Sequence, residues 1–214
     1  MVKSKLTIRR CKNPSCNMRF QQVQALQYVC CWKCGVEYTN LLRTNKAAKE
    51  SREKTKVMKD GLMTLSDYKK ILQSHINHIV RLIDAGQPCI ATGATTGKRN
   101  AGHYFSVGSN ETLRFHLDNI HIQSEHSNSW KGGDTLNYQA GIERIYGIEY
   151  LNHLNSLKSI NPIKLSISEL KEKIVIALSI VKQLKHQDSE YNVYSRVLLR
   201  TSFNNQLGIY KYYL

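Results

Sequence analysis

The sequence has no long hydrophobic run. No apolar stretch approaches the roughly 18 residues that a membrane-spanning helix needs, so we expect no membrane partner. The first ten residues carry charges and contain no apolar core of a secretory signal. The sequence therefore predicts a cytoplasmic protein that works away from membranes.

Acidic side chains are also scarce, with 31 Lys and Arg residues against 16 Asp and Glu and a formal net charge of +15. The first 36 residues contain seven basic residues and no acidic one. Such an excess predicts a polyanionic partner, because Lys and Arg release the counterions that condense on nucleic-acid phosphates. We therefore expect this chain to bind nucleic acid.

Cysteine is concentrated at one end, with five of the six residues between positions 11 and 34. Without a secretory signal, such clustering favours metal binding over disulfides. The spacing Cys11-x4-Cys16-x13-Cys30-x3-Cys34 suits a tetrahedral zinc ion, and Cys31-x2-Cys34 is the alternative second pair that generic zinc knuckles favour. Four thiolates leave no open position for chemistry, so the zinc would be structural and would supply folding energy.

The order of patterns along the chain predicts an α+β protein. A capping box at Thr64-x-x-Asp67, followed by apolar residues at helical spacing, predicts a strong helix over 64–86. The stretch 41–63 is polar and predicts a solvated helix or a linker that gains order only on DNA. The predicted segments are a zinc finger (1–40), a basic helical connector (41–86), a ββα module (87–160), a C-terminal helix (161–187) and a tail without an assigned role (188–214).

Short apolar runs within the predicted ββα module indicate strands at 104–107, 113–115 and 120–122. Helical spacing predicts a helix over 135–146 that ends at Gly147, and a shorter helix near 150–157. Beyond the module, Ser166-x-x-Glu169 opens another predicted helix.

Three polar residues of the module carry the candidate chemistry. We expect His103 on one strand, Asn119 at the turn and His121 on the second strand, before the helix. A ββα unit of this kind can hold one divalent metal beside a histidine general base, and histidine is mostly neutral at pH 7. The strings Gly-His and Asn-x-His are weak signals by themselves.

Several strings together resemble the NinG (Rap) family of phage recombination proteins. They are CKNPSC (11–16), VCCWKCG (29–35), AGHYFSVG (101–108), LRF (113–115) and DNIH (118–121), and the resemblance runs over roughly 8–160. It implies an HNH-like endonuclease that cuts branched DNA, chiefly Holliday junctions and D-loops, with Mg²⁺ or Mn²⁺. It also favours Cys30 as the partner of Cys34.

The resemblance also implies roles for the candidate residues. His103 takes the general-base position, Asn119 orients the base or holds the loop, and His121 lies where the family also has histidine. Arg9, Arg10, Arg19, Lys98, Arg99 and Arg114 are the candidate DNA contacts. A four-way junction has near two-fold symmetry, so paired cuts predict a homodimer through the 166–186 helix, with phage or host recombination proteins as further partners.

The chain departs from the family at two cysteine pairs, PC-x-x-CG and QC-x-x-CN. Cys89 remains, but Thr92, Ser124 and Ser127 occupy the other three positions. Farther along, tryptophan replaces a family histidine at 130, and Asp134 replaces an asparagine.

These replacements allow two accounts. In the first, Thr92, Ser124 and Ser127 join a hydrogen-bonded knuckle, and His126 and Asp134 bind the catalytic metal. In the second, hydrolysis has been lost and a non-catalytic DNA-binding accessory remains.

Overall fold

The computed structural model describes residues 7–130, 134–186 and 190–210. Helices and two small antiparallel sheets make up the described chain, which confirms the predicted α+β class. The chain divides into two compact units, Met1–Met63 and Thr64–Leu214. The boundaries predicted after residues 40 and 86 do not coincide with this division, because the helix that begins at 65 packs with the residues that follow it.

The Met1–Met63 unit contains a hairpin and one long helix. Strands β1 (Ile8–Arg10) and β2 (Arg19–Gln21) pair antiparallel, and helix α1 runs from Trp32 to Leu62. The helix therefore begins inside the predicted finger. Cys34 is its buried residue, and nearly all of its other side chains lie in solvent, as the missing apolar stripe predicted.

Helix α2 (Leu65–Ile83) opens the second unit, as predicted. The Thr64 hydroxyl accepts a hydrogen bond from the Asp67 amide, and the Asp67 carboxylate accepts one from the Thr64 amide. Its buried apolar face packs against α5 (Ile167–Lys185). A second capping box, formed by Ser166 and Glu169, lies at the start of α5. Both capping boxes read from the sequence are confirmed.

Strands β3 (Arg99–His103) and β4 (Ile120–Ser124) form the second sheet, with His103 opposite Ile120. The strands predicted at 104–107 and 113–115 are wrong, because the chain leaves β3 at His103. Residues Glu111–Phe115 and Leu117–Asn119 form 3₁₀ turns. The Asn110 side chain caps the first turn by accepting a hydrogen bond from the Leu113 amide at 3.2 Å.

Helices α3 (Thr135–Tyr146) and α4 (Ile148–Ser156) follow the second sheet. Gly147, at φ +89°, separates them where the sequence predicted a stop. Gly141 lets α3 approach the turn at Ile90, between α2 and β3, since a β-carbon there would lie 1.8 Å from the Ile90 carbonyl oxygen.

The chain closes with α6 (Val193–Leu207), a helix that the sequence did not predict. In the described part of the chain, no helix combines the length and the apolar character needed to cross a membrane.

Candidate metal centre and the cleft beside His103

Four thiols meet in the first unit. The sulfur atoms of Cys11, Cys16, Cys30 and Cys34 all lie within 4.8 Å of one another. The Cys16 and Cys34 sulfurs are each 3.6 Å from that of Cys30. A tetrahedral zinc with bonds of about 2.3 Å holds its sulfurs about 3.8 Å apart, so these four residues fit a zinc ion.

Local structure selects which cysteines take part. The Cys11 amide, just after β1, donates to the Met18 carbonyl at 2.8 Å, which folds the first pair back on itself. Cys34 lies in the first turn of α1, whereas Cys31 is the residue before that helix and is exposed. The structure therefore places Cys30, and not Cys31, in the thiol cluster.

Basic side chains cover the hairpin beside the thiols. Arg10 lies directly opposite Arg19 on the neighbouring strand, and both are exposed, as is Arg9. Arg9 and Lys12 also lie over the Tyr28 ring, at 5.9 and 4.6 Å from its centre. Like charges placed opposite each other destabilise a hairpin, so this surface is suited to a bound anion.

His103 ends β3 and is half-buried. Its Nε2 lies 2.9 Å from the Arg114 carbonyl oxygen. A carbonyl can only accept, so Nε2 donates and the Nδ1 lone pair remains available for a proton. Burial lowers the pKa of His103 below its ordinary 6.5, despite the opposite effect of this hydrogen bond. The ring is therefore a neutral base at pH 7.

Asn119 is completely buried and holds backbone. Its amide nitrogen donates to the carbonyls of Phe105 (3.0 Å) and Leu113 (3.1 Å), and its oxygen accepts from the Phe105 amide at 2.8 Å. These bonds tie the chain after β3 to the first 3₁₀ turn. Of the two roles that the resemblance implies, the contacts support holding the loop.

His121, on β4, lies in the core and is 1% exposed. Its Nδ1 is 3.2 Å from the Tyr138 hydroxyl, which itself donates to the Gly102 carbonyl, so Nδ1 carries the proton. Burial lowers its pKa well below 6.5, and Arg200 and Arg196 add to the effect. In this arrangement the side chain does not reach solvent.

An open cleft of about 560 Å³ lies beside His103. None of the described residues that line it is acidic, and Lys158 places its ammonium 4.5 Å from the centre of the Phe105 ring. The Tyr104 hydroxyl donates to Gln139 at 3.1 Å on the same wall. A cationic cleft with polar walls suits a phosphate backbone.

The remaining candidates lie apart from a common site. His126 is exposed in a short π-helical turn, and Asp134 precedes α3, where its Oδ1 accepts from the Asn137 side chain at 2.9 Å. The Trp130 side chain lies outside the described residues. Among the described residues, the four thiols are the one group of three or more Cys, His, Asp and Glu side chains close enough to share an ion.

The three basic candidates of the second unit are engaged with neighbours. Lys98 pairs with Glu125 at 2.6 Å, and the Arg99 guanidinium donates to the Gln87 carbonyl. Arg114 donates to the Gln73 side chain at 3.2 Å.

The replaced cysteine positions come together. The Ser124 amide donates to the Cys89 sulfur at 3.1 Å, the Ser127 hydroxyl is 3.5 Å from that sulfur, and the two serine hydroxyls are 2.9 Å apart. Burial opposes ionisation of Cys89, yet hydrogen bonds from Thr92, Ser124 and Ser127 lower its pKa to about 6. These contacts form a hydrogen-bonded knuckle of the kind that the first of the two accounts describes.

Restoring three thiols to this knuckle is expected to create a second zinc site. In the variant Thr92→Cys/Ser124→Cys/Ser127→Cys, the added sulfurs would face Cys89, as zinc requires. Elemental analysis should show zinc rising from about one to about two ions per chain.

The matched control places three cysteines at Thr95, Ser168 and Ser179, which are exposed and lie outside the knuckle, and it should leave the zinc content unchanged. A knuckle variant that still holds only one zinc per chain would contradict the prediction that these four positions can form a zinc site.

Sequence reasoning missed the buried polar residues of α6. Arg200 is completely buried and donates to the Asp84 carboxylate at 2.8 Å and to the Leu117 carbonyl at 3.3 Å. Asn204 accepts from the Leu117 amide at 3.0 Å. With Arg196, these residues recur every four positions on one helix face. That spacing was a usable signal, but a search for apolar periodicity passes over it.

Comparison with known proteins identifies relatives across most of the chain. Residues 3–188 match the model of the family described as Bacteriophage Lambda NinG protein. Protein ninG of Escherichia phage lambda is 29% identical over 163 residues, which covers 69% of this chain and 80% of that protein. Protein ninG of Salmonella phage P22 is 30% identical over the same length, with the same coverage. No solved structure matches. The chain belongs to the NinG family.

Proposed function

We propose that this chain is a recombination endonuclease that recognises and cuts branched DNA, namely Holliday junctions and D-loops. The observation that carries the proposal is His103, a half-buried histidine with an available Nδ1 beside a cationic cleft. Membership of the NinG family agrees with this function, which the sequence resemblance implied.

His103 acts as the general base in this proposal. Its Nδ1 takes a proton from the attacking water. The Arg114 carbonyl keeps its hydrogen bond from the Nε2–H group and so stabilises the imidazolium that forms. Because burial lowers its pKa, the base is already unprotonated at neutral pH. Lys158 places positive charge in the same cleft for the phosphate backbone.

Mg²⁺ or Mn²⁺ is the proposed catalytic ion, and it would neutralise charge on the phosphate. The described residues at the cleft do not assemble a dedicated site for it, since no three His, Asp or Glu side chains meet there. Binding of the ion by His126 and Asp134 stays a prediction from the sequence, and both ions are variables in the test below.

The zinc-bearing unit supplies affinity for DNA in this proposal. Arg9, Arg10 and Arg19 form an exposed cationic hairpin, and α1 carries eight Lys and Arg residues against four acidic ones. Contacts of this kind go to phosphates and do not depend on base sequence, so they suit recognition of a branch by its shape. Paired cuts at a two-fold junction would require two copies of the chain.

A non-catalytic DNA-binding accessory is the second candidate. The observation in its favour is that no three described His, Asp or Glu side chains meet at the cleft, together with the burial of His121. An accessory would keep the thiol cluster and the cationic hairpin and would bind junctions without cutting them.

The test compares a labelled four-way junction with a linear duplex of the same arm sequence. Zinc-loaded protein is incubated with each DNA in Mg²⁺, in Mn²⁺ and in EDTA. We expect metal-dependent nicks in the junction and intact duplex. Junction binding without nicks in either ion would establish the accessory function instead. Binding should also weaken steeply with salt, because phosphate contacts release counterions.

A further inference from the structure

The C-terminal segment formed by α6 and Ile209–Tyr210 contacts one stretch of chain repeatedly. That stretch, Thr112–Ile120, contains the two 3₁₀ turns and leads into β4. Residues 193–210 lie beyond residue 188, where the match to the family ends. The family match therefore gives no expectation for these residues.

Two side chains of α6 hold the second 3₁₀ turn. Asn204 accepts a hydrogen bond from the Leu117 amide at 3.0 Å, and Arg200 donates to the Leu117 carbonyl at 3.3 Å. Both side chains are completely buried, and the ion pair with Asp84 fixes Arg200 to the end of α2. The backbone at Leu117 is thus held on both its donor and its acceptor side.

Tyr210 holds the first 3₁₀ turn in the same way. Its hydroxyl donates to the Thr112 carbonyl at 2.8 Å and accepts from the Phe115 amide at 3.3 Å. The ring is 1% exposed and packs edge-on against His116, with ring centres 4.6 Å apart. These two bonds hold the backbone on either side of Arg114, whose carbonyl accepts a hydrogen bond from the Nε2–H group of His103.

We propose that the segment 193–210 is a positioning clamp for the candidate base. It fixes the Thr112–Ile120 stretch, which in turn presents the Arg114 carbonyl to His103 and Asn119 to the loop after β3. Arg200, Asn204 and Tyr210 are positioning residues, since none of them lines the cleft. The expected effect of the clamp on the rate of DNA cutting rests on the proposed function. Its expected effect on the hydrogen bond of His103 does not.

The test is Tyr210→Phe, which keeps the buried ring and removes both hydrogen bonds. Tyr194→Phe is the matched control, because Tyr194 is 72% exposed on α6. Nuclear magnetic resonance would follow the Nε2 proton of His103 and the amide exchange of residues 113–119 in the zinc-loaded full chain.

The clamp predicts that Tyr210→Phe speeds exchange at Leu113 and Asn119 and makes the Nε2 proton of His103 exchange faster, whereas Tyr194→Phe changes neither. If the wild type cuts junctions, Tyr210→Phe should lower the maximal cutting rate about tenfold without changing DNA affinity, as a misplaced base does. Unchanged exchange at Asn119 and His103 would overturn the clamp. A wild-type protein that never cuts DNA would contradict the proposed function alone, because the hydrogen-exchange measurement tests the clamp without any cutting.

Discussion

Replacing Cys34 with serine is expected to abolish zinc binding and unfold the hairpin of the Met1–Met63 unit. The unit buries few apolar side chains, and four sulfurs would hold its ion, so the metal would supply most of its folding free energy. Structural zinc sites of this kind contribute about 10–16 kcal/mol of apparent binding free energy. Elemental analysis and amide exchange of Ile8–Arg10 and Arg19–Gln21 would measure the two losses.

Cys31→Ser is the matched control for this variant. Cys31 adjoins Cys30 but is exposed and lies outside the thiol cluster, so its replacement should retain one zinc per chain. The Thr64–Leu214 unit should remain folded in both variants, because its core does not depend on these sulfurs. A Cys34→Ser protein with one zinc and a protected hairpin would refute the metal-centre assignment.

The parts of the fold that the sequence predicted are those with strong local signals. The capping boxes at Thr64 and Ser166 fixed the starts of α2 and α5, and Gly147 marked the end of α3. The apolar pair Leu113 and Phe115 suggested a strand because alternate residues are apolar. Instead, the Asn110 cap begins a 3₁₀ turn that buries both, a choice made by local hydrogen bonding and tertiary packing.

The metal site shows where spacing reasoning reaches its limit. Generic knuckle spacing favoured Cys31, and only the family resemblance favoured Cys30. The deciding feature is the start of α1 at Trp32, which leaves Cys31 outside and brings Cys34 inward. A helix start without a side-chain cap leaves no local sequence signal, so spacing could not decide.

The buried ionic core could not be predicted from polarity. Arg200 is among the largest completely buried side chains of the protein, although arginine is rarely found there. It is tolerated because Asp84 and two backbone carbonyls accept hydrogen bonds from its guanidinium. Residues from the end of α2, the second 3₁₀ turn, β4 and α6 meet at this point, and their distance in the sequence conceals the pairing.

Replacing His103 with alanine is expected to abolish cutting of branched DNA. A general base typically contributes about 10²–10⁴-fold to the rate, so the cutting rate should fall by that factor. In the wild type, the rate should rise with pH as His103 loses its proton and should level off by neutral pH, because its pKa lies below 6.5. Single-turnover cutting of a labelled junction at several pH values would measure both effects.

His153→Ala is the matched control, since His153 is an exposed histidine on α4 of the same unit and lies outside the cleft. Its cutting rate and pH profile should equal those of the wild type. Asn119→Ala should differ from both: it removes three buried hydrogen bonds and should lower stability as well as cutting.

The most direct measurement is the single-turnover rate at which zinc-loaded wild type and His103→Ala nick a four-way junction in Mg²⁺ or Mn²⁺. Both proteins should bind the junction equally, and only the wild type should nick it at an appreciable rate. Equal nicking by the two proteins, or tight junction binding by a wild type that leaves every strand intact, would contradict the account.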